Sequence, residues 1–284
     1  MNKAKRIIGG TGVVMLLALC GGCFPWRAPD RLLAATSLDE AKAAPQEVQF
    51  LDLHGAGLKS LPASLGEYPA LVKLSVRGNK AATLPEQWGT LTALKWLDAG
   101  ECGLTSVPSS MAGMSGLATL YLSDNALTSL PESWSALTGL SYLNLDRNKL
   151  ATVPRCVLGM MGLKWLRLNG NALAEIPSEI TGLAGLQRLY VNANKLAALP
   201  EAVSGLTALT DLAAAKNQLT SLPASLTSMT GLERLDLQYN KIKVLPQDIE
   251  KLTGLRWLNL LRNPISDDEK ARIKAALPEC HVIF

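Results

Sequence analysis

The sequence predicts an α/β solenoid, with one short strand per repeat on one side and one short helical piece per repeat on the other. Three observations carry this. First, from Val48 the chain repeats every 23 residues without insertion or deletion. Units start at Val48, Leu71, Leu94, Leu117, Leu140, Leu163, Leu186, Leu209, Leu232 and Leu255. Second, each unit opens L-x-x-L-x-L, and this period-two alternation suits a short strand with one buried face. Third, each then passes a turn and goes over to period three. In one unit Ile176, Ile180 and Leu183 point the same way on either side of Pro177, and a proline there presets φ for a helical turn. No unit can bury its leucines alone, so stacking makes the core and stability becomes a nearest-neighbour property.

Composition agrees. Of 284 residues 48% are hydrophobic, yet only 3 are Phe, so the core is built from a small set of side chains dominated by Leu and Ala. The formal charge of +4 belongs to the first residues. Without Lys3, Lys5 and Arg6, Lys+Arg falls from 28 to 25 against 24 Asp+Glu. A chain so nearly neutral lacks the basic footprint of a nucleic-acid binder. Five cysteines, an odd number, argue against a dense disulfide framework.

Two successive units read "LSYLNLDRNKLATVPRCVLGMMG" and "LKWLRLNGNALAEIPSEITGLAG". The template L-x-x-L-x-L-x-x-N-x-L-x-x-[LIV]-P resembles the leucine-rich repeat family, in its 23-residue Leu-Pro class. The resemblance implies a curved right-handed superhelix, with a parallel sheet on the concave face and short helices or 3-10 turns on the convex face. It also implies that the recurrent asparagine stitches each turn to the backbone of its neighbours. Asn79, Asn125, Asn148, Asn171, Asn194, Asn217, Asn240 and Asn263 hold that place; Cys102 takes it in repeat three and Ala56 in repeat one.

Terminal repeats need covers. Ser266 followed by Glu269, with Ile273 and Leu277 on one side of a helix and a last strand after Pro278, reads as a C-terminal cap opened by a capping box. Ser37 and Glu40 repeat the pattern at the other end. The expected organisation is a signal peptide over 1–22, a tether over 23–35, an N-terminal capping helix over 36–47, ten repeats over 48–265 and a cap over 266–284.

The leader has three cations, then Ile7 to Leu19 without charge, then small residues, which is the layout of a secretory signal. Its stretch "LCGGC" resembles the lipobox of bacterial lipoproteins, with Gly21 and Gly22 before Cys23 and Cys20 where Leu is usual. That resemblance implies lipidation at Cys23 and an exported chain anchored in the bacterial envelope. A dithiol or zinc reading of Cys20 and Cys23 needs a folded unit around them, and an apolar leader offers none.

Binding, not catalysis, is the expected function. There are two histidines, His54 and His281, no HExxH, no glycine-rich phosphate loop and no paired CxxC, so neither cofactor nor metal is expected. The third, fifth and seventh residues of each unit face away from the leucines. Of 14 aromatics, seven fall in these columns, including Trp96, Tyr121, Tyr142, Trp165, Tyr190 and Trp257. With Asn144, Asp146, Arg167, Arg188 and Arg234 they form the expected ligand-binding face, on the premise that these rings are exposed; Trp, Tyr and Arg are the types enriched at hot spots. Tyr68, Trp88 and Trp134 sit at inward positions and read as core. Acidic residues dominate the face in repeats one to five and basic ones in repeats six to ten, which suits a dipolar partner. The expected ligand is a protein or peptide bound by a monomer. A glycan or peptidoglycan binder and a cytoplasmic scaffold are the alternatives.

Overall fold

The computed structural model describes residues 33–284. The leader, Cys20, Cys23 and most of the tether lie outside the described residues. Within 33–284, twelve strands form a single sheet in strict sequence order, every neighbour parallel. The strands are β1 (Ala34–Ala35), β2 (Phe50–Asp52), β3 (Lys73–Ser75), β4 (Trp96–Asp98), β5 (Thr119–Tyr121) and β6 (Tyr142–Asn144). They continue as β7 (Trp165–Arg167), β8 (Arg188–Tyr190), β9 (Asp211–Ala213), β10 (Arg234–Asp236), β11 (Trp257–Asn259) and β12 (His281–Ile283).

From β2 to β11 the register advances by one whole repeat at each step: Phe50 faces Lys73, which faces Trp96, and so on to Arg234 and Trp257. The leucine at the centre of each of these strands, from Leu51 to Leu258, is at most 1% exposed. Pairing runs past the regular strands. The sixth and eighth N–H groups of a unit continue the ladder, as Leu145 N–H to Arg167 O (2.9 Å) and Arg147 N–H to Asn169 O (2.7 Å).

To keep that ladder while turning towards the helix side, the eighth residue is left-handed in all ten repeats. Three are glycines, Gly55, Gly78 and Gly170. Seven are not: Glu101, Asp124, Arg147, Ala193, Lys216, Tyr239 and Arg262, with φ between 53° and 60°. A side chain in this region costs roughly 1–2 kcal/mol, so the ladder bonds hold a strained position there.

On the other side, single 3-10 turns recur, from Ala63–Glu67 to Ile249–Lys251, and repeat five alone carries an α-turn, α2 (Arg155–Leu158). The prolines stand just outside these turns, not in them. Pro177 has φ −69° and ψ 154°, an extended residue that starts the turn without donating. Trp88 and Trp134 are fully buried here and Tyr68 is 5% exposed, so all three are core as their positions predict.

Both ends are covered. At the N-terminus α1 (Leu38–Ala43) is capped by Ser37, within the 36–47 segment. Ala34 and Ala35, at the end of the expected tether, pair with Phe50 and Leu51 as an extra edge strand. At the C-terminus α3 (Asp267–Ala276) is capped by Ser266, which accepts from Glu269 N–H. The reciprocal half of each capping box is displaced. Glu40 accepts from Thr36 N–H at 2.8 Å. Glu269 accepts from Leu245 N–H at 2.8 Å and holds Arg272, which bolts the cap to the last repeats.

Candidate functional site

The asparagine ladder comes first, because it fixes the turn from which the face is presented. Asn148 is typical. Its Oδ1 accepts from Leu127 N–H (3.1 Å), and its Nδ2 donates to Leu122 O (2.9 Å) and Leu145 O (3.1 Å). The same three bonds recur at Asn79, Asn171, Asn194, Asn217, Asn240 and Asn263. Asn125 adds a second accepted bond, from Cys102 N–H. At Cys102 a single S–H stands in for the two donations, within reach of Val76 O (3.2 Å) and Gly100 O (3.3 Å). Ala81 N–H, which an amide there would receive, goes to the Cys102 backbone carbonyl. Burial pushes this thiol up from its ordinary value, so it is a packing group and not a nucleophile.

The predicted ligand residues do come together on the face opposite the leucines, but not as a field of exposed rings. Tyr142 and Trp165 are 5% and 4% exposed, and Asn144 and Asp146 are buried too. The expected exposure of the rings fails at Tyr142 and Trp165, each of which packs against a ring one repeat away on either side. Rings pack in an unbroken row: Trp96 to Tyr121 (centroids 5.6 Å), Tyr121 to Tyr142 (4.8 Å), Tyr142 to Trp165 (5.0 Å) and Trp165 to Tyr190 (5.6 Å). Trp165 meets both neighbours at 83°, the edge-to-face geometry that the ring quadrupole favours. Its indole N–H is buried with no hydrogen-bond partner.

Cations lie over this row. Arg188 sits 4.8 Å from the Trp165 ring centre, Arg167 5.6 Å from Tyr190 and Arg234 5.2 Å from Trp257. At the other end Lys73 lies between Phe50 (4.8 Å) and Trp96 (4.4 Å), and burial lowers its pKa. Lys73 is the third residue of the unit that starts at Leu71 and was not among the expected ligand residues; the aromatics one repeat away on each side are the signal that could have found it.

The graded charge resolves into local pairs. Arg77 meets Glu101 and Asp98, and Arg147 clasps Asp124. Arg167 donates to the buried Asp146 at 2.7 Å. Asp211 lies between Arg188 (3.8 Å) and Arg234 (3.6 Å). Asp52 accepts from the backbone N–H of His54. Among the described residues no three His, Cys, Asp or Glu side chains gather as a metal-holding group, and no helix is long and apolar enough to cross a membrane.

Hollows open on both sides of the described residues. One of about 590 Å³ lies on the helix side beside α2, between Arg155, Leu158, Glu175 and Glu179, away from the aromatic row. Another, about 200 Å³, opens on the sheet face beside Tyr190, Ala213 and Trp257.

A parallel one-strand-per-coil sheet with an asparagine ladder defines a repeat solenoid, and comparison with known proteins gives the family. A leucine-rich repeat region model matches residues 155–281, and a leucine rich repeat model matches 101–150 and 115–173. A leucine-rich repeat protein of Leptospira interrogans is 30% identical, with a TM-score of 0.61 over 84% of this chain and 73% of that one. The chain belongs to the leucine-rich repeat family. An internalin of Listeria monocytogenes shares the fold at 19% identity (TM-score 0.67, covering 87% of this chain and 76% of that one). The Arabidopsis receptor kinase HAESA, solved with the peptide hormone IDA and the co-receptor SERK1, is 29% identical; the match covers 77% of this chain and 39% of that one (TM-score 0.66). Among curated proteins none matches this chain in sequence.

Proposed function

We propose that this is a protein-binding module of the 23-residue Leu-Pro class, exported and lipid-anchored through Cys23 in the bacterial envelope, with its ligand on the sheet face. The observation that carries the binding reading is the packed row from Trp96 to Tyr190 with Arg167 and Arg188 lying on it. Side chains already locked against each other lose little freedom when a partner arrives, so more of the contact energy remains as affinity. The HAESA structure holds a peptide hormone, which supports a peptide or protein as the ligand class here. A glycan is the alternative ligand: Tyr142 and Trp165 are nearly closed to stacking, whereas Trp96, Tyr121, Tyr190 and Trp257 are half-buried.

The face is tested by capture of the partner from intact cells. Trp165→Ala is a poor probe because its ring is buried. The variant of choice is Trp96→Ala with Arg188→Ala, at two half-buried positions. It is expected to stay folded and to lose the captured partner; undiminished capture sinks the face. Export and anchoring are tested by labelling with a palmitate analogue. Incorporation is expected to vanish in Cys23→Ala, and recovery of the chain in the cytosol would favour the scaffold reading instead.

A further inference from the structure

The aromatic row stops abruptly. From Trp96 to Tyr190 every ring touches the next. One repeat on, the three face positions hold Asp211, Ala213 and Ala215, and the next ring in the face columns is Trp257, in β11. The missing side chains leave the notch of about 200 Å³ walled by Tyr190, Asp211, Ala213, Arg234, Asp236 and Trp257. Small-molecule sites occupy roughly 300–1,000 Å³, so a notch of this size takes one side chain of a larger partner.

The chemistry of the walls narrows which side chain. Tyr190 and Asp236 flank Ala213 from either side in the sheet register. Asp211 is already matched by two arginines. Asp236 is not: among the described residues no cation lies within ion-pair distance of it, and its bonds are to its own strand's Gln238, N–H and Nε2 both at 3.2 Å. An aliphatic occupant would displace water from Asp236 and return no donor, which is costly. A basic occupant would pair with Asp236 but meets Arg234 in the same wall, and an acidic one meets Asp211 and Asp236.

We infer that the notch receives one tyrosine or tryptophan side chain from the bound protein, its ring continuing the row beyond Tyr190 and its O–H or N–H donated to Asp236. This rests on the protein-binding reading above and names the anchor that reading lacks. The row then runs on through a ring supplied by the partner, beside Tyr190 where the chain supplies only the methyl group of Ala213.

The test uses the protein with ¹³C-labelled alanine methyl groups and N-acetyl-L-tyrosinamide as the probe. Saturable shifts are expected at Ala213 and Ala215, with N-acetyl-L-leucinamide at least about tenfold weaker, a gap of about 1.4 kcal/mol. Ala213→Tyr places the chain's own ring in the notch. It is expected to melt at or above the parent temperature and to lose the probe. Asp236→Asn is expected to narrow the preference for N-acetyl-L-tyrosinamide over N-acetyl-L-phenylalaninamide. The inference is overturned if no saturable shift occurs, if N-acetyl-L-lysinamide competes equally, or if folded Ala213→Tyr still binds. A folded Ala213→Tyr that captures the cellular partner at full strength also overturns the notch while leaving the face intact. Undiminished capture by the Trp96→Ala, Arg188→Ala pair overturns the face itself.

Discussion

Trp134 and Trp165 sit on opposite sides of the same solenoid, and they differ in one atom's fate. Trp134, on the helix side, is fully buried and its Nε1 donates to Pro108 O at 2.9 Å; Trp88 does the same to Pro62 O. Trp165, on the sheet face, is buried to nearly the same degree, but its Nε1 has no partner. An unsatisfied buried donor costs roughly 1–3 kcal/mol. The back of the repeat is thus built to completion for stability, while the front holds its rings by contact with one another and carries a cost the back does not.

Truncation is the hardest test of that contrast. Trp134→Ala is expected to destabilise by about 4 kcal/mol, within the range for a large aromatic lost from a closed core. Trp165→Ala is expected to lose about half as much, because Tyr142 and Tyr190 can close over the gap from an open face. Denaturant unfolding reads both, and equal losses would break the distinction. The ladder gives the next largest effect. Asn148→Ala strands one N–H and two carbonyls, for an expected loss of about 3 kcal/mol. Asn144→Ala, which removes the bond that Asn144 Oδ1 accepts from Asp146 N–H, is expected to lose about 1 kcal/mol.

Conservative ring changes sharpen the comparison with opposite signs. Trp165→Phe removes the orphaned donor and is expected to be neutral or stabilising by up to about 1 kcal/mol, whereas Trp134→Phe abandons the Pro108 carbonyl and is expected to lose about 2 kcal/mol. Thermal melts of the two variants decide it. The smallest effect is electrostatic. The hydrogen bond from Arg147 holds the Asp124 carboxyl below its ordinary value. The pair's contribution is therefore full above the ordinary carboxylate range and is lost as the pH falls through the lowered value. Arg147 is well exposed, so the gain is under about 1 kcal/mol; Asp124→Asn is expected to flatten that part of the stability curve.

The register and the ladder were legible because their residues repeat. A leucine or asparagine every 23 positions names its own place in the fold. What was not legible depends on neighbours in space or on backbone shape. Tyr142 packs against Tyr121 and Trp165, each a whole repeat distant. The left-handed eighth position is hidden because Glu101, Lys216 and Tyr239 carry no glycine to betray it. Ala34 and Ala35 form a strand with no β-branched or aromatic residue to announce it. Glu40 and Glu269 have the right spacing for a capping box, but each finds another N–H within reach.

The uniform register has an evolutionary consequence. Between β2 and β11 every coil meets the next through the same pairs of positions, so a duplication or loss of one whole unit leaves every surviving joint matched. Dropping residues 117–139, for example, sets Tyr142 beside Trp96 in the same column and moves Asn148 under the turn that Asn125 served. Recombination can therefore lengthen, shorten or reorder the recognition surface in whole steps, and lineages that share this scaffold can diverge in what they bind by counting units as readily as by changing side chains.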